Sequence, residues 1–332
     1  MPRKGGCNQW QKNQYTYAVA RIRAMEVSLF SQAVIDQLLA CKDEKQCLLL
    51  LQEKGWGNAD TPLDAEAILS CEREKTWKEV KSLADDPSVF DVISYADLFQ
   101  NLKAAIKQAA SERAVSDIFI PDTQISGEEM LDIIKKKEFG RLPGFMAGIV
   151  REAYETLLHT QDGQLCDIMV DKAALEAIYE AGKRSGEEII RDYAESTVAV
   201  ADIKIAVRSQ KTAKSLEFMK RAMAECDSVN INALMRAAQN GMDAIEEYLE
   251  STAYKGGAKA LKESASAFEC WCDNRIVETI RPQLYNPFTI GPVVAYVLAR
   301  ENEIKTVRII LTGKQNDLPV ESIRERVREM YV

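Results

Sequence analysis

No proline occurs between Gly144 and Arg281. A proline inside a helix removes a backbone donor and collides with the preceding turn, so nothing in this stretch forbids continuous helix. The nine prolines fall near breaks in the apolar pattern, among them Pro121, Pro143, Pro282, Pro287 and Pro319. Thr61-Pro62-Leu63-Asp64 reads as an N-cap, a first-turn proline and an early carboxylate at the positive end of a helix. Between the breaks the spacing is helical. Val19, Ile22, Met25 and Leu29 recur at steps of three and four, and so do Ile323, Val327 and Met330 at the other end. Beside that last stripe, Glu321 with Arg324 and Glu325 with Arg328 are spaced to pair on a solvated helix face. The best strand candidate is Val198 to Val207, where Ile203, Ile205 and Val207 alternate.

A repeat bears on that ambiguity. Leu102-Lys103, Ile203-Lys204 and Ile304-Lys305 recur at intervals of 101 residues. Asn101, Asp202 and Glu303 precede the three pairs, and Lys107, Arg208 and Arg308 follow them. The first copy, Asp97 to Lys107, is composed of helix formers. Related copies predict helix at Val198 to Val207 as well. A second echo joins Leu51 to Gly57 with Leu249 to Lys255, where an apolar helix end runs into a polar stretch and a large aromatic. The expectation is an all-α chain of three related helical units in a pseudo-threefold funnel. They cover residues 15–137, 138–236 and 237–332, after an N-terminal tail of residues 1–14.

With 46% hydrophobic and 28% charged residues the composition is that of an ordinary globular protein. The net charge of −8, with Lys and Arg interleaved among acids, argues against nucleic acid as the partner. The longest apolar stretch, Thr289 to Ala299, is interrupted by Gly291 and Pro292, whereas a membrane span needs roughly 20 apolar residues. The first fourteen residues contain no apolar run behind their basic residues, so no secretion signal is expected. The eight cysteines form no CxxC pair and read as reduced thiols in the cytoplasm, Cys270 and Cys272 beside Trp271 included.

Catalytic constellations are not found. His159, the single histidine, stands in Leu157-Leu158-His159-Thr160 and reads as a surface residue at a helix end. Gly182-Lys183 and Gly313-Lys314 resemble the end of a phosphate loop, but Ala177 and Arg308 stand where its first glycine is required. Asp85-Asp86 is followed at once by Pro87, and the next acid is Asp91, which spoils a one-face carboxylate array for Mg²⁺. Gly144 and Gly148 have GxxxG spacing, read here as permitting close helix packing. No catalytic, cofactor-binding or metal-binding residue is therefore assigned, no cofactor is expected, and partner-binding residues stay unassigned.

Tyr296 to Lys314 (YVLARENEIKTVRIILTGK), continued by Leu318 to Arg326, resembles the closing helix of the C-subunit family of V-type and A-type rotary ATPases. The d component of the eukaryotic V-ATPase belongs to the same family. Tyr15 to Glu26 (YTYAVARIRAME) resembles its start, and Cys166 to Lys172 with Ala201 to Lys204 and Arg208 resembles its middle. Asp202 stands where the pattern has an Asn, so the middle unit departs most. The resemblance implies a funnel-shaped, non-catalytic rotor part of the central stalk. Such a part lies at the cytoplasmic face of the membrane, joins the shaft made of the D and F subunits to the proteolipid ring, and passes torque between them. It implies coupling of proton or sodium-ion transport to ATP hydrolysis or synthesis carried out in other subunits. Two rivals remain: a free-standing helical-repeat adaptor, whose chain ends would lie far apart, and an α-helical enzyme, which needs a constellation that is not found.

Overall fold

The helices begin where short polar side chains satisfy the donors that a first turn leaves free. Asp43, Asp64, Ser126, Asp162, Ser215, Asn230 and Ser264 each accept from the backbone N–H three residues ahead. The computed structural model describes residues 15–84, 87–111 and 118–332, so the tail of residues 1–14, with Cys7, and Asp85-Asp86 lie outside it.

In chain order the helices are α1 (Thr16–Glu26), α2 (Gln32–Ala40), α3 (Glu44–Glu53), α4 (Ala65–Leu83), α5 (Asp91–Ser111), α6 (Gly127–Lys136), α7 (Gly144–Thr160) and α8 (Gly163–Arg184). They continue with α9 (Glu188–Lys211), α10 (Leu216–Ala222), α11 (Ile231–Asn240), α12 (Met242–Glu250), α13 (Lys255–Glu263), α14 (Ala265–Ile280), α15 (Gly291–Gln315) and α16 (Val320–Arg324). No strand occurs among the described residues, and the fold is all-α. Val198 to Val207 lies inside α9, as the repeat predicts and against the local alternation. Both echo aromatics are buried just beyond a helix end, Trp56 after α3 and Tyr254 after α12. Gly55, at a φ of +87°, makes the first of these turns and lets the Trp56 N–H reach Leu51 O at 2.9 Å.

Three local readings are corrected. The N-cap of α4 is Asp64, which accepts from Ala67 N at 3.0 Å, and not Thr61, whose hydroxyl accepts from Asn58 N. The chain after Pro319 is helical only to Arg324, so Glu325 and Arg328 share no helix face. Arg324 pairs with Asp36 at 2.6 Å, and Arg328 is buried against Asp273 at 2.7 Å. Finally, nothing lies within 4 Å of where a Cβ would sit on Gly144 or Gly148. Their spacing does not mark a close helix approach.

The described chain divides into two compact units. One comprises the described residues up to Pro87, Glu187–Ile189 and Gly256–Val332; the other comprises Ser88–Gly186 and Ile190–Lys255. In the first, α15 packs against α1, α3, α4 and α14, and α16 packs against α2. Ile35, Leu39, Leu51 and Ile68 from the beginning of the chain share a core with Ile304, Val307, Ile310 and Ile323 from its end. In the second, α5 packs against α6, α7 and α8 around Leu102, Ile106, Met130, Ile134, Met146 and Val170. Each such aliphatic side chain contributes roughly 1.5–3 kcal/mol by leaving water. No described helix is long and apolar enough to cross a membrane; the apolar stretch from Ile290 to Ala299 is instead completely buried in its unit.

Candidate functional site

The three repeat positions each carry a buried polar side chain. Asn101 on α5, Asp202 on α9 and Glu303 on α15 are each buried, at 0%, 0% and 2% exposure. Each accepts a backbone N–H from another segment of its own unit. Asn101 Oδ1 accepts from Ile120 N at 2.7 Å, while Nδ2 donates to Ile120 O and Thr123 Oγ1. Asp202 Oδ1 accepts from Ala224 N at 3.1 Å, and Oδ2 has no partner. Glu303 Oε1 accepts from Phe30 N. A long helix thus ties down an irregular segment at each place, and satisfies a buried donor that would otherwise cost about 1–3 kcal/mol. The basic residues beside two of the anchors reach acids on neighbouring helices: Lys103 to Asp171, Lys107 to Asp167 and Lys305 to Asp273, all at 2.7 Å, and Arg308 to Glu66.

The electrostatics differ among the anchors. Burial pushes the Asp202 carboxyl up to about 8, against the pull of the Ala224 N–H and of Lys172. Burial also raises Glu303, opposed by Arg300, whose guanidinium lies 2.5 Å from Glu303 Oε2. Arg300 is itself buried and donates to Ser28 Oγ at 2.8 Å and Tyr296 OH at 3.3 Å. Its guanidinium lies 5.8 Å from the centre of the Trp56 ring, on which Phe30 stacks. Sequence reasoning does not single out Arg300 as a structural residue. Its signal is a charge pair spaced i, i+3 at the end of the apolar run Val293 to Ala299.

Both Gly-Lys pairs have packing roles. Gly182 faces the Ala194 side chain across α8 and α9, and Gly313 faces Ile323, where an added Cβ would come within 2.6 Å of Cγ1. Lys183 lies over the Tyr179 ring. Lys314 is buried, and its ammonium donates to Leu39 O at 2.8 Å and Cys41 O at 2.5 Å, closing the C-terminal end of α2. His159 is exposed in the last turn of α7, and Asp91 opens α5. Cys270 Sγ contacts Val327 O at 3.2 Å, while Cys272 is buried. Among the described residues no group of three His, Cys, Asp or Glu side chains is placed to hold a metal ion.

The polar groups of this interior therefore hold helices and loops to one another, in a protein of the all-α class. The family model described as ATP synthase (C/AC39) subunit matches residues 18–326. The C subunit of the V-type sodium ATPase of Enterococcus hirae is 22% identical over 93% of this chain and 97% of its own length. The C subunit of the A-type ATP synthase of Methanocaldococcus jannaschii is 23% identical over 93% and 85%. The C subunit of the V-type ATP synthase of Thermus thermophilus is 20% identical over 95% and 98%. The chain belongs to the ATP synthase (C/AC39) subunit family, and is accordingly a subunit of a V/A-type rotary ATPase.

Proposed function

We propose that this subunit is the non-catalytic rotor connector of its complex. It receives the shaft of the D and F subunits at one end, rests on the proteolipid ring at the other, and transmits torque at the cytoplasmic face. The ion moved is a proton or a sodium ion, and ATP is hydrolysed or made in other subunits. We further propose that residues 15–137, 138–236 and 237–332 are three related helical units in a pseudo-threefold funnel. The matched burial of Asn101, Asp202 and Glu303 supports that relation.

The observation that carries the reading is the joining of the chain's beginning to its end within one unit. Phe30 N bonds to Glu303, Arg23 donates to Gln283 O at 2.6 Å, Lys314 caps α2, and Arg324 pairs with Asp36. A solenoid adaptor stacks each repeat only on its neighbours and keeps its ends apart. A close-packed interior resists deformation, as a torque-bearing joint requires.

Native mass spectrometry of the purified chain with the matching D and F subunits tests the assignment. A one-to-one-to-one complex is expected. A chain that stays alone, both with D and F and with the detergent-solubilised ring, refutes it, and robust nucleotide hydrolysis by the isolated chain refutes its non-catalytic status.

A further inference from the structure

A cavity of about 520 Å³ lies within the unit that contains α14, α15 and α16. Its walls come from the first turn of α14, the last two turns of α15, α16 and the chain beyond it. Such a volume is within the range of roughly 300–1,000 Å³ typical of small-molecule sites. The lining is of two kinds. Ile309, Leu318 and Ile323 give an apolar floor, while Arg308, Arg326 and Arg328 put three basic residues in the same lining.

The charge balance favours an anion. Arg308 is paired with Glu66, both of them largely exposed. Arg328 shares Asp273 with Lys305, so one carboxylate serves two cations. Arg326 is exposed, and no side-chain partner for it is found among the described residues. Glu269, the one acid in the lining, has a partner of its own. Of the residues that line the cavity three are arginines and one is an acid, on a chain whose net charge is −8. An inorganic anion would leave the aliphatic floor wet, and a neutral apolar ligand would leave Arg326 unanswered.

We propose that this cavity binds a small amphiphilic anion, a carboxylate, sulfate or phosphate group on an apolar body of several carbons. Arg326 meets the charged group with help from Arg308, and the body lies against Ile309, Leu318 and Ile323. The site is independent of the rotor role and owes nothing to nucleotide chemistry, since the phosphate-loop geometry is missing at Gly313-Lys314.

The test is a fluorescence titration of the full-length chain with 8-anilinonaphthalene-1-sulfonate, displaced by monomeric octyl phosphate. One saturable site is expected. Arg326→Glu should weaken it about tenfold or more, through loss of a charge-assisted contact and gain of repulsion. Thr312→Trp, which fills the cavity from an exposed position on α15, should abolish it. Melting temperatures within a few degrees of wild type show that both variants fold. Non-saturable dye binding, or equal affinity in all three proteins, overturns the proposal. So does displacement by inorganic phosphate as effective as that by octyl phosphate, which removes the amphiphile. Displacement by anionic phosphatidylglycerol vesicles but not by the monomer also overturns it, since the ligand would then be a membrane surface.

Discussion

Replacing Asp202 by Asn should make the protein more stable at neutral pH and remove a proton linkage from folding. Asp202 is completely buried on α9, with one hydrogen bond, from Ala224 N, and an oxygen that has no partner. The cation that pulls on it, Lys172, also donates to Lys220 O and lies 3.8 Å from Glu176, while Glu195 adds a like charge. Burial wins, and the carboxyl is pushed up from 3.8 to about 8. Below pH 4 the group is protonated in both folded and unfolded chains, and its contribution is fully present. From pH 4 to pH 8 the unfolded chain releases the proton while the folded chain keeps it. Stability therefore falls with rising pH by about 1.4 kcal/mol per unit, and levels off above pH 8.

Between pH 5.0 and pH 7.5 this single group should remove on the order of 3 kcal/mol. Asn keeps the oxygen that accepts from Ala224 N and has no proton to lose; Asn101 already occupies the matching position on α5 in that form. Urea denaturation followed by far-UV circular dichroism, at both pH values and on both proteins, gives the difference. Dichroism is preferred to tryptophan emission because Trp56, Trp77 and Trp271 all lie in the other unit. The stability gained by Asp202→Asn should be about 3 kcal/mol larger at pH 7.5 than at pH 5.0. Equal differences at the two pH values would show that Asp202 is ionised in the folded chain, and would refute the reasoning.

Three other perturbations probe the remaining anchors. Glu303→Gln leaves the buried Arg300 guanidinium without its counter-charge and should cost about 3–5 kcal/mol; adding Arg300→Met should recover much of that loss in thermal melts, and a double variant no better than the single sinks the pairing. Lys314→Met removes the two bonds that close α2 and should cost about 1–3 kcal/mol, read as a lowered melting temperature together with faster amide exchange at the α2 end. Gly313→Ala drives a Cβ against Ile323 and should destabilise by about 1–3 kcal/mol, whereas Gly148→Ala, with open space around it and a helical backbone, should stabilise by about 0.5–1 kcal/mol. Equal effects at the two glycines would mean that the Gly313 contact yields at no cost.

What the sequence disclosed is what periodicity and punctuation encode. The helices follow from proline placement and three-four spacing, and the 101-residue interval resolved Val198 to Val207 correctly because helix needs the whole length of α9 while alternation needs only a few residues. The misreadings fall where tertiary contacts overrule a local pattern. Glu325 and Arg328 are spaced for a helical pair, yet Arg328 is drawn into the interior by Asp273, 55 residues away in sequence and already shared with Lys305. Gly144 and Gly148 match a packing motif, but whether a glycine is pressed against a neighbour depends on what lies across from it; Gly182 and Gly313, singled out only because a lysine follows and rejected as phosphate loops, are among the glycines with no room. Asn101, Asp202 and Glu303 were visible only as flanking chemistry. Buried, they stand in three electrostatic settings: an amide fully bonded on its own, a carboxyl whose hold on its proton burial strengthens, and a carboxyl paired with Arg300. The amide alone needs neither a proton nor a counter-ion. Asp202→Asn is therefore the substitution that can tell a retained pH dependence from a merely tolerated departure from the repeat.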